Sequence, residues 1–388
     1  MADRTVLHAA TAAPYDVVVG REVIGDLAGL LGADVRRVAV IHPRALADGG
    51  DDFGTHRSLE PRGSLPQPAD RLDNDFSRLF SGEMLVQVET LNVDAASFRQ
   101  MEGAGRPVAE QVMQTVRERG KQHNRVTGSG GMLLGRVLEL APGRPAGEAL
   151  AVGDRVASLI SLSLTPLRVD AVRAVREASA QLDVEGQAVL FASSPYAKMP
   201  SDFADRVALA ALDVAGAAPQ VARLVRPGAV VVILGGGGKS GALCACEARR
   251  AGGPGARVIA VESHEPYARE VEALGVCDAV VSCDARDPVA TRAAVLAKTG
   301  GREADLVLSC VNVDGAELAA ILCARDRGVV YFFAMSTSFT RAALGAEGVG
   351  KDVDLMIGNG YARGHADHTL DLLRATPALR ALFERRYG

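Results

Sequence analysis

Between positions 202 and 335 the chain alternates short apolar runs with longer stretches in which apolar residues recur every three or four positions. Apolar runs of four to eight residues bounded by glycine read as buried parallel strands, and the stretches between them as helices. The pattern predicts strands at 229–234, 257–262, 279–282, 304–309 and 328–333, joined by right-handed helical crossovers. From about 53 to 200 the rhythm changes. Met84–Leu91 and Met132–Leu140 alternate like strands, Val152–Val156 turns into a third, and Ala109–Arg119 forms an amphipathic helix. Beyond Ser336 a polar segment leads into a final helix from about Ala366 to Arg386. The front of the chain fits neither rhythm: Tyr15–Val19 and Val38–Ile41 read as strands around a helix at Val23–Leu31, followed by a polar joint at Asp48–Asp52.

One junction carries chemistry. The strand ending at Leu234 runs into Gly235-Gly-Gly-Gly-Lys-Ser-Gly241, then a helix, then a strand that closes on Glu262. Strand, glycine turn, helix, strand and acid in that order form a dinucleotide-binding βαβ unit. Gly235 or Gly236 permits the turn, Gly238 lets backbone approach a diphosphate, and Gly241 lets helix and strand pack closely. The free N–H groups at the helix start then face negative charge. Glu262 is placed to accept hydrogen bonds from an adenosine ribose, and a 2′-phosphate there would meet like charge, which favours NAD over NADP. A nucleoside-triphosphate loop ending at Gly238-Lys239-Ser240 would need a glycine at position 233, which is isoleucine.

Length and composition narrow the class. A chain of 388 residues suggests two domains with a shared cleft. A net charge of −4 leaves no basic footprint for nucleic acid, and no apolar run is long enough to span a membrane. The amino-terminal residues lack a secretory pattern, so the expected setting is cytoplasmic. All six cysteines fall at or after position 244 without a Cys-x-x-Cys pair, supporting neither a disulfide framework nor a cysteine zinc site.

Val152-Gly-Asp-Arg-Val156 and the glycine turn resemble markers of the medium-chain dehydrogenases and reductases, particularly their zinc-free branch. A closer resemblance runs from Gly54 to Tyr387. Gly54-Thr-His-Arg57, Leu65-Pro-Gln-Pro68, Asp73-Asn-Asp75, Val126–Met132, Ser161–Leu167, Ala210–Gly216, Ala343–Asp352 and Ile357–Tyr361 are similar to strings of the L-erythro-3,5-diaminohexanoate dehydrogenase family. The resemblance implies an α/β chain with a β-rich, GroES-like catalytic domain (53–200 and 340–388) and a Rossmann doubly wound parallel sheet (201–339). It implies NAD-dependent oxidation of the 3-amino group of a diamino acid to a ketone, with release of ammonia, in a homodimer. Residues 1–52 form an extension, of which 1–48 resemble the start of a 3-dehydroquinate synthase. That enzyme's own nucleotide loop and metal ligands have no counterpart here.

The candidate chemistry follows from what amine oxidation needs. The region that holds metal in zinc-dependent relatives reads Gly128-Ser129-Gly130, and a second reads Leu91–Ser97, both without cysteine or histidine; no metal is expected, although carboxylates offer an alternative set. Asp213, in an apolar stretch where those relatives carry a cysteine, is the first candidate for a base or ammonium partner, the alternative being a backbone cap. Asn92 and Asp94 follow a strand facing the nicotinamide, and Asp94 equally suits a helix cap. His123 and Ser129 are proton-shuttle candidates beside a structural reading. Asp73 and Asp75 could meet substrate ammonium groups, Arg57 or His56 its carboxylate, and Asn359 and Tyr361 could line the cleft. Lys239 and Ser240 are expected at the diphosphate, Asp284 near the adenine, and Cys310, Val311 and Asn312 along the nicotinamide ribose. A zinc-free quinone or enone reductase using NADPH, and a non-catalytic dinucleotide sensor, are the rival readings.

Overall fold

The structure is a computed structural model that describes residues 4–9, 15–20, 49–124, 128–144 and 150–388. The chain divides into two units, 1–43 and 44–388. In the first, β1 (Arg4–Ala9) pairs antiparallel with β2 (Tyr15–Gly20), Arg4 opposite Gly20. The expected strand at Val38–Ile41 and helix at Val23–Leu31 lie outside the described residues. The polar joint does not close the extension at 52. Asp51 is hydrogen-bonded to His56, and the Asp52 carbonyl accepts from the Ser193 N–H, both inside the larger unit.

The larger unit contains a short pair, β3 (Ser58–Glu60) and β4 (Arg71–Leu72), and two six-stranded sheets. The first is antiparallel: β5 (Met84–Asn92), β6 (Met132–Leu140), β7 (Arg155–Ser158), β8 (Leu167–Arg176), β9 (Gln181–Leu190) and β10 (Tyr196–Lys198), in the order β10-β7-β6-β5-β9-β8. The helix Val108–Arg119 buries Val108, Val112 and Val116 in the same cluster as Met84, Val86 and Leu182. The second sheet is parallel: β11 (Val230–Leu234), β12 (Arg257–Val261), β13 (Ala279–Val281), β14 (Ala304–Ser309), β15 (Ala324–Phe332) and β16 (Asp354–Ile357), in the order β13-β12-β11-β14-β15-β16. Its strands are apolar on both faces because both are covered. Val230, Val232 and Leu234 face one layer with Ile259, Val307 and Ile321, whereas Val231 and Ile233 face the other with Ala208, Ala242 and Leu306. That second layer also takes in Met132, Leu134 and Ala157, so one core runs from the antiparallel sheet to the parallel one.

Two expectations give way. Residues 354–357, expected with the β-rich domain, form the sixth parallel strand, Val329 to Phe332 of β15 pairing with Asp354 to Ile357. Four residues are too few to show a period, so only the sheet edge reveals them. The single terminal helix is two, His365–Ala375 and Pro377–Tyr387, because Pro377 lacks an N–H and disfavours helical backbone at Thr376 (φ −123°, ψ 86°). Among the described residues no single helix is long and apolar enough to cross a membrane.

Candidate active site

The order of the parallel sheet turns outward in both directions from β11 and β14, so a crevice opens past their carboxyl ends. The glycine turn lies on one side of it and Cys310–Asn312 on the other. Gly235 has φ 74°, and a Cβ there would sit 2.9 Å from the Val311 Cα, so the two loops touch. At Gly241 a Cβ would lie 2.1 Å from the Gly235 carbonyl oxygen, which only glycine permits. Gly238 is different. Its backbone (φ −72°, ψ 172°) suits any residue, and the nearest atom to a Cβ would be 3.6 Å away. Internal packing does not demand glycine at 238, and the helix Lys239–Gly252 that follows has no side-chain cap. An open surface and uncapped N–H groups fit a diphosphate. Glu262, buried at the end of β12, accepts from the N–H of Gly237 at 3.1 Å and of His264 at 3.0 Å, which sets a carboxylate against the turn.

Asp213 ends the helix Asp205–Leu212 and reaches the same crevice. Its Oδ2 accepts from the Lys239 ammonium at 2.5 Å and its Oδ1 from the Asn92 amide at 3.2 Å. Asn92, the last residue of β5, in turn accepts through Oδ1 from the Gln181 amide at 3.1 Å. A relay from β9 through β5 thereby orients one carboxylate oxygen, while the first residue of the nucleotide helix holds the other. Asn92 and Gln181 are fully buried, but Asp213 and Lys239 keep 21% and 23% of their side chains exposed, so the charged end of the relay is reachable. Burial alone would lower the Lys239 pKa, but the charge and hydrogen bond of Asp213, helped by Asp94, outweigh it and hold the group above the ordinary lysine range. Lys239 is a fixed cation, and its ammonium lies on Asp213, whereas the sequence placed it at the diphosphate.

The other expected residues divide. Asp94 caps the helix Ala95–Gly103, accepting from the Ser97 N–H at 3.0 Å, and its charge also acts on Lys239. Exposed Asn359 and half-exposed Tyr361 sit on a loop that packs close by: a Cβ on Gly216 would meet the Gly360 carbonyl oxygen at 2.2 Å, and Gln220 donates to the Tyr361 carbonyl. Ser240 is half-buried in the first turn of the helix. Asp284 is held by Arg286 at 2.6 Å in the loop after β13. The described contacts of His123 and Ser129 lead to Arg119 and Asn124, not to Asp213.

Arg57 and His56 are committed inside the fold. The Arg57 Nε and Nη2 donate in parallel to the two Glu83 oxygens at 2.8 Å, and the remaining N–H groups go to the carbonyls of Asp75 and Arg78 and to Asp73. His56 lies between Asp51 and Glu83 at 3.2 and 2.9 Å. Five guanidinium N–H groups with five acceptors leave none for a substrate carboxylate. Asp73 is drawn into this cluster, and exposed Asp75 accepts from the Ser77 N–H. Gln181 was not among the expected residues, and no signal marks it: it opens an alternating strand like any other polar position. Among the described residues no group of three or more His, Cys, Asp or Glu stands close enough to hold a metal ion.

The family model for the L-erythro-3,5-diaminohexanoate dehydrogenase N-terminal domain matches residues 56–200. An L-erythro-3,5-diaminohexanoate dehydrogenase from Acetoanaerobium sticklandii is 47% identical over 342 residues, 87% of this chain and 99% of that protein. A 3-dehydroquinate synthase from Streptomyces coelicolor is 63% identical over 38 residues, 10% of each chain. In fold, an alcohol dehydrogenase from Thermotoga maritima is similar with a TM-score of 0.54 at 16% identity, over 79% of this chain and 86% of that one.

Proposed function

The chain belongs to the L-erythro-3,5-diaminohexanoate dehydrogenase family, and on that premise we propose that it oxidises the 3-amino group of L-erythro-3,5-diaminohexanoate with NAD. The products are 5-amino-3-oxohexanoate, ammonia and NADH, a step of lysine fermentation. The observation that carries the reading is the convergence of Asp213, Asn92 and Lys239 on the crevice beside the glycine turn.

A nicotinamide dinucleotide, when bound, supplies the hydride acceptor. Gly236, Gly238, Ser240 and Gly241 would hold its diphosphate, Glu262 and Asp284 its adenosine end, and Cys310, Val311 and Asn312 its second ribose. Glu262 supports NAD over NADP, because a 2′-phosphate beside a buried carboxylate meets like charge. Overall C3 loses a hydride, water supplies the ketone oxygen, and ammonium and one proton leave. Asp213 receives the proton that the 3-ammonium must lose and later one from the attacking water. Asn92 and Gln181 keep its carboxylate aimed. Lys239 stays charged and cannot serve as the base. Asp94 adds a second negative charge suited to a substrate with two ammonium groups, and Asn359 and Tyr361 line the entrance.

A cytoplasmic setting is supported by six free thiols. A homodimer is supported by the edge at β16, which no strand among the described residues covers. The decisive experiment follows NADH formation by the purified chain on the diamino acid, with NAD and NADP side by side. Saturable turnover preferring NAD is expected, and Asp213→Asn should lower kcat roughly 100-fold or more while NADH still binds. Tight NADH binding without turnover would sink the substrate assignment, and a preference for NADP would sink the role of Glu262.

A further inference from the structure

We infer that the Asp213–Lys239 ion pair recognises the β-amino acid half of the substrate, Lys239 taking the C1 carboxylate while Asp213 takes the 3-ammonium. The inference rests on the reaction proposed above and assigns it a specificity residue. In a 3-amino acid the ammonium and carboxylate lie two carbons apart, so both can meet two opposite charges that are in contact with each other. Asp213 and Lys239 are such a pair, 2.5 Å apart and each about one-fifth exposed. The substrate's own charges exchange one ion pair for two.

Three observations support it. The Lys239 ammonium has three N–H donors, and one goes to Asp213; no hydrogen bond from the other two is seen among the described residues. Its charge is maintained by Asp213 and Asp94, so a cation is present throughout the working pH range. The local balance also mirrors the ligand: two carboxylates and one ammonium face a substrate with two ammonium groups and one carboxylate. The cations that sequence reasoning offered for the carboxylate are used up by Glu83, Asp51 and Asp73.

The test titrates 3-aminobutanoate, and 3-aminobutanamide, which keeps the ammonium but replaces the carboxylate with a neutral amide, calorimetrically into the full chain saturated with NADH. A charge-assisted hydrogen bond to Lys239 should make the acid bind roughly ten- to a hundredfold more tightly than the amide. Lys239→Met should abolish that preference and Lys239→Arg retain most of it, with NADH affinity, read by nucleotide fluorescence, unchanged in both. Equal affinities for acid and amide in the unaltered protein would overturn the inference, a comparison that needs no variant to fold. So would a Lys239→Met protein that keeps the preference but loses NADH affinity, since the lysine would then serve the diphosphate. Binding is read without turnover, so failure of the diamino acid to react would count against the proposed reaction and leave the acid-over-amide result to judge Lys239.

Discussion

Gly238 and Gly241 sit three residues apart in one motif, and the structure gives them different reasons to be glycine. At Gly241 a methyl group would be forced to within 2.1 Å of the Gly235 carbonyl oxygen and 2.7 Å of the Gly236 Cα. Both are backbone atoms of a tight turn and cannot yield cheaply. Gly241→Ala should therefore destabilise the protein by about 1–3 kcal/mol even without ligand. At Gly238 a methyl group has room. Gly238→Ala should leave the Tm of the free protein nearly unchanged and weaken NADH binding, because it intrudes only on what approaches from outside. Thermal unfolding with and without NADH separates the two. Equal loss of stability in the free forms would remove the argument that position 238 is kept open for a diphosphate.

At the scale of elements, the turn Thr55–Arg57 is tied to the start of β5 by buried charge. Burial alone would raise the Glu83 pKa, but hydrogen bonds from Arg57 and His56 outweigh it and hold it below the ordinary range. Burial would likewise lower the His56 pKa, and the hydrogen bonds and charges of Glu83 and Asp51 raise it instead. The signs then differ. A depressed carboxylate adds stability above its unfolded value of 4.5 that is lost as pH falls through the folded value; a raised histidine adds stability below 6.5 that is lost as pH climbs through its own. The cluster contributes most between about pH 4.5 and 6.5. Thermal unfolding across pH should show the alkaline loss, and His56→Gln should flatten it. Glu83→Ala should cost about 3–5 kcal/mol by leaving Arg57 and His56 buried without their carboxylate. If Arg57 instead held substrate, Arg57→Lys would raise KM and leave stability alone, and a structural role for the cluster would be wrong.

For the whole molecule, the parallel sheet ends at β16 with a row of backbone groups that no strand among the described residues covers. Apolar side chains are exposed on and around that edge: Ile357 on the strand, Phe339 and Leu344 on the helix Phe339–Gly348, and Met335 before it. An uncovered edge beside apolar surface is suited to a second copy of the same edge. The homodimer proposed above predicts a mass of twice the chain by light scattering, and Ile357→Lys should shift it toward the monomer. A stable monomer in the unaltered protein would exclude this assembly.

Much of this was legible in the residues before folding was considered. The strands flanking the glycine turn emerged because a buried parallel strand must be apolar on both faces, and Gly241 because helix and turn touch there. Asp213 stood out as a charge in an apolar stretch. Strings along the chain sufficed for the family. Tertiary structure alone decided who meets whom. The meeting of Asn92, Asp213 and Lys239 depends on one strand and two helices, and no local pattern encodes contact across 121 residues of chain. Arg57 and His56 looked free for substrate because a sequence shows a charge but not its partner. Only burial, with Glu83 set against both, turns them from binding groups into structure.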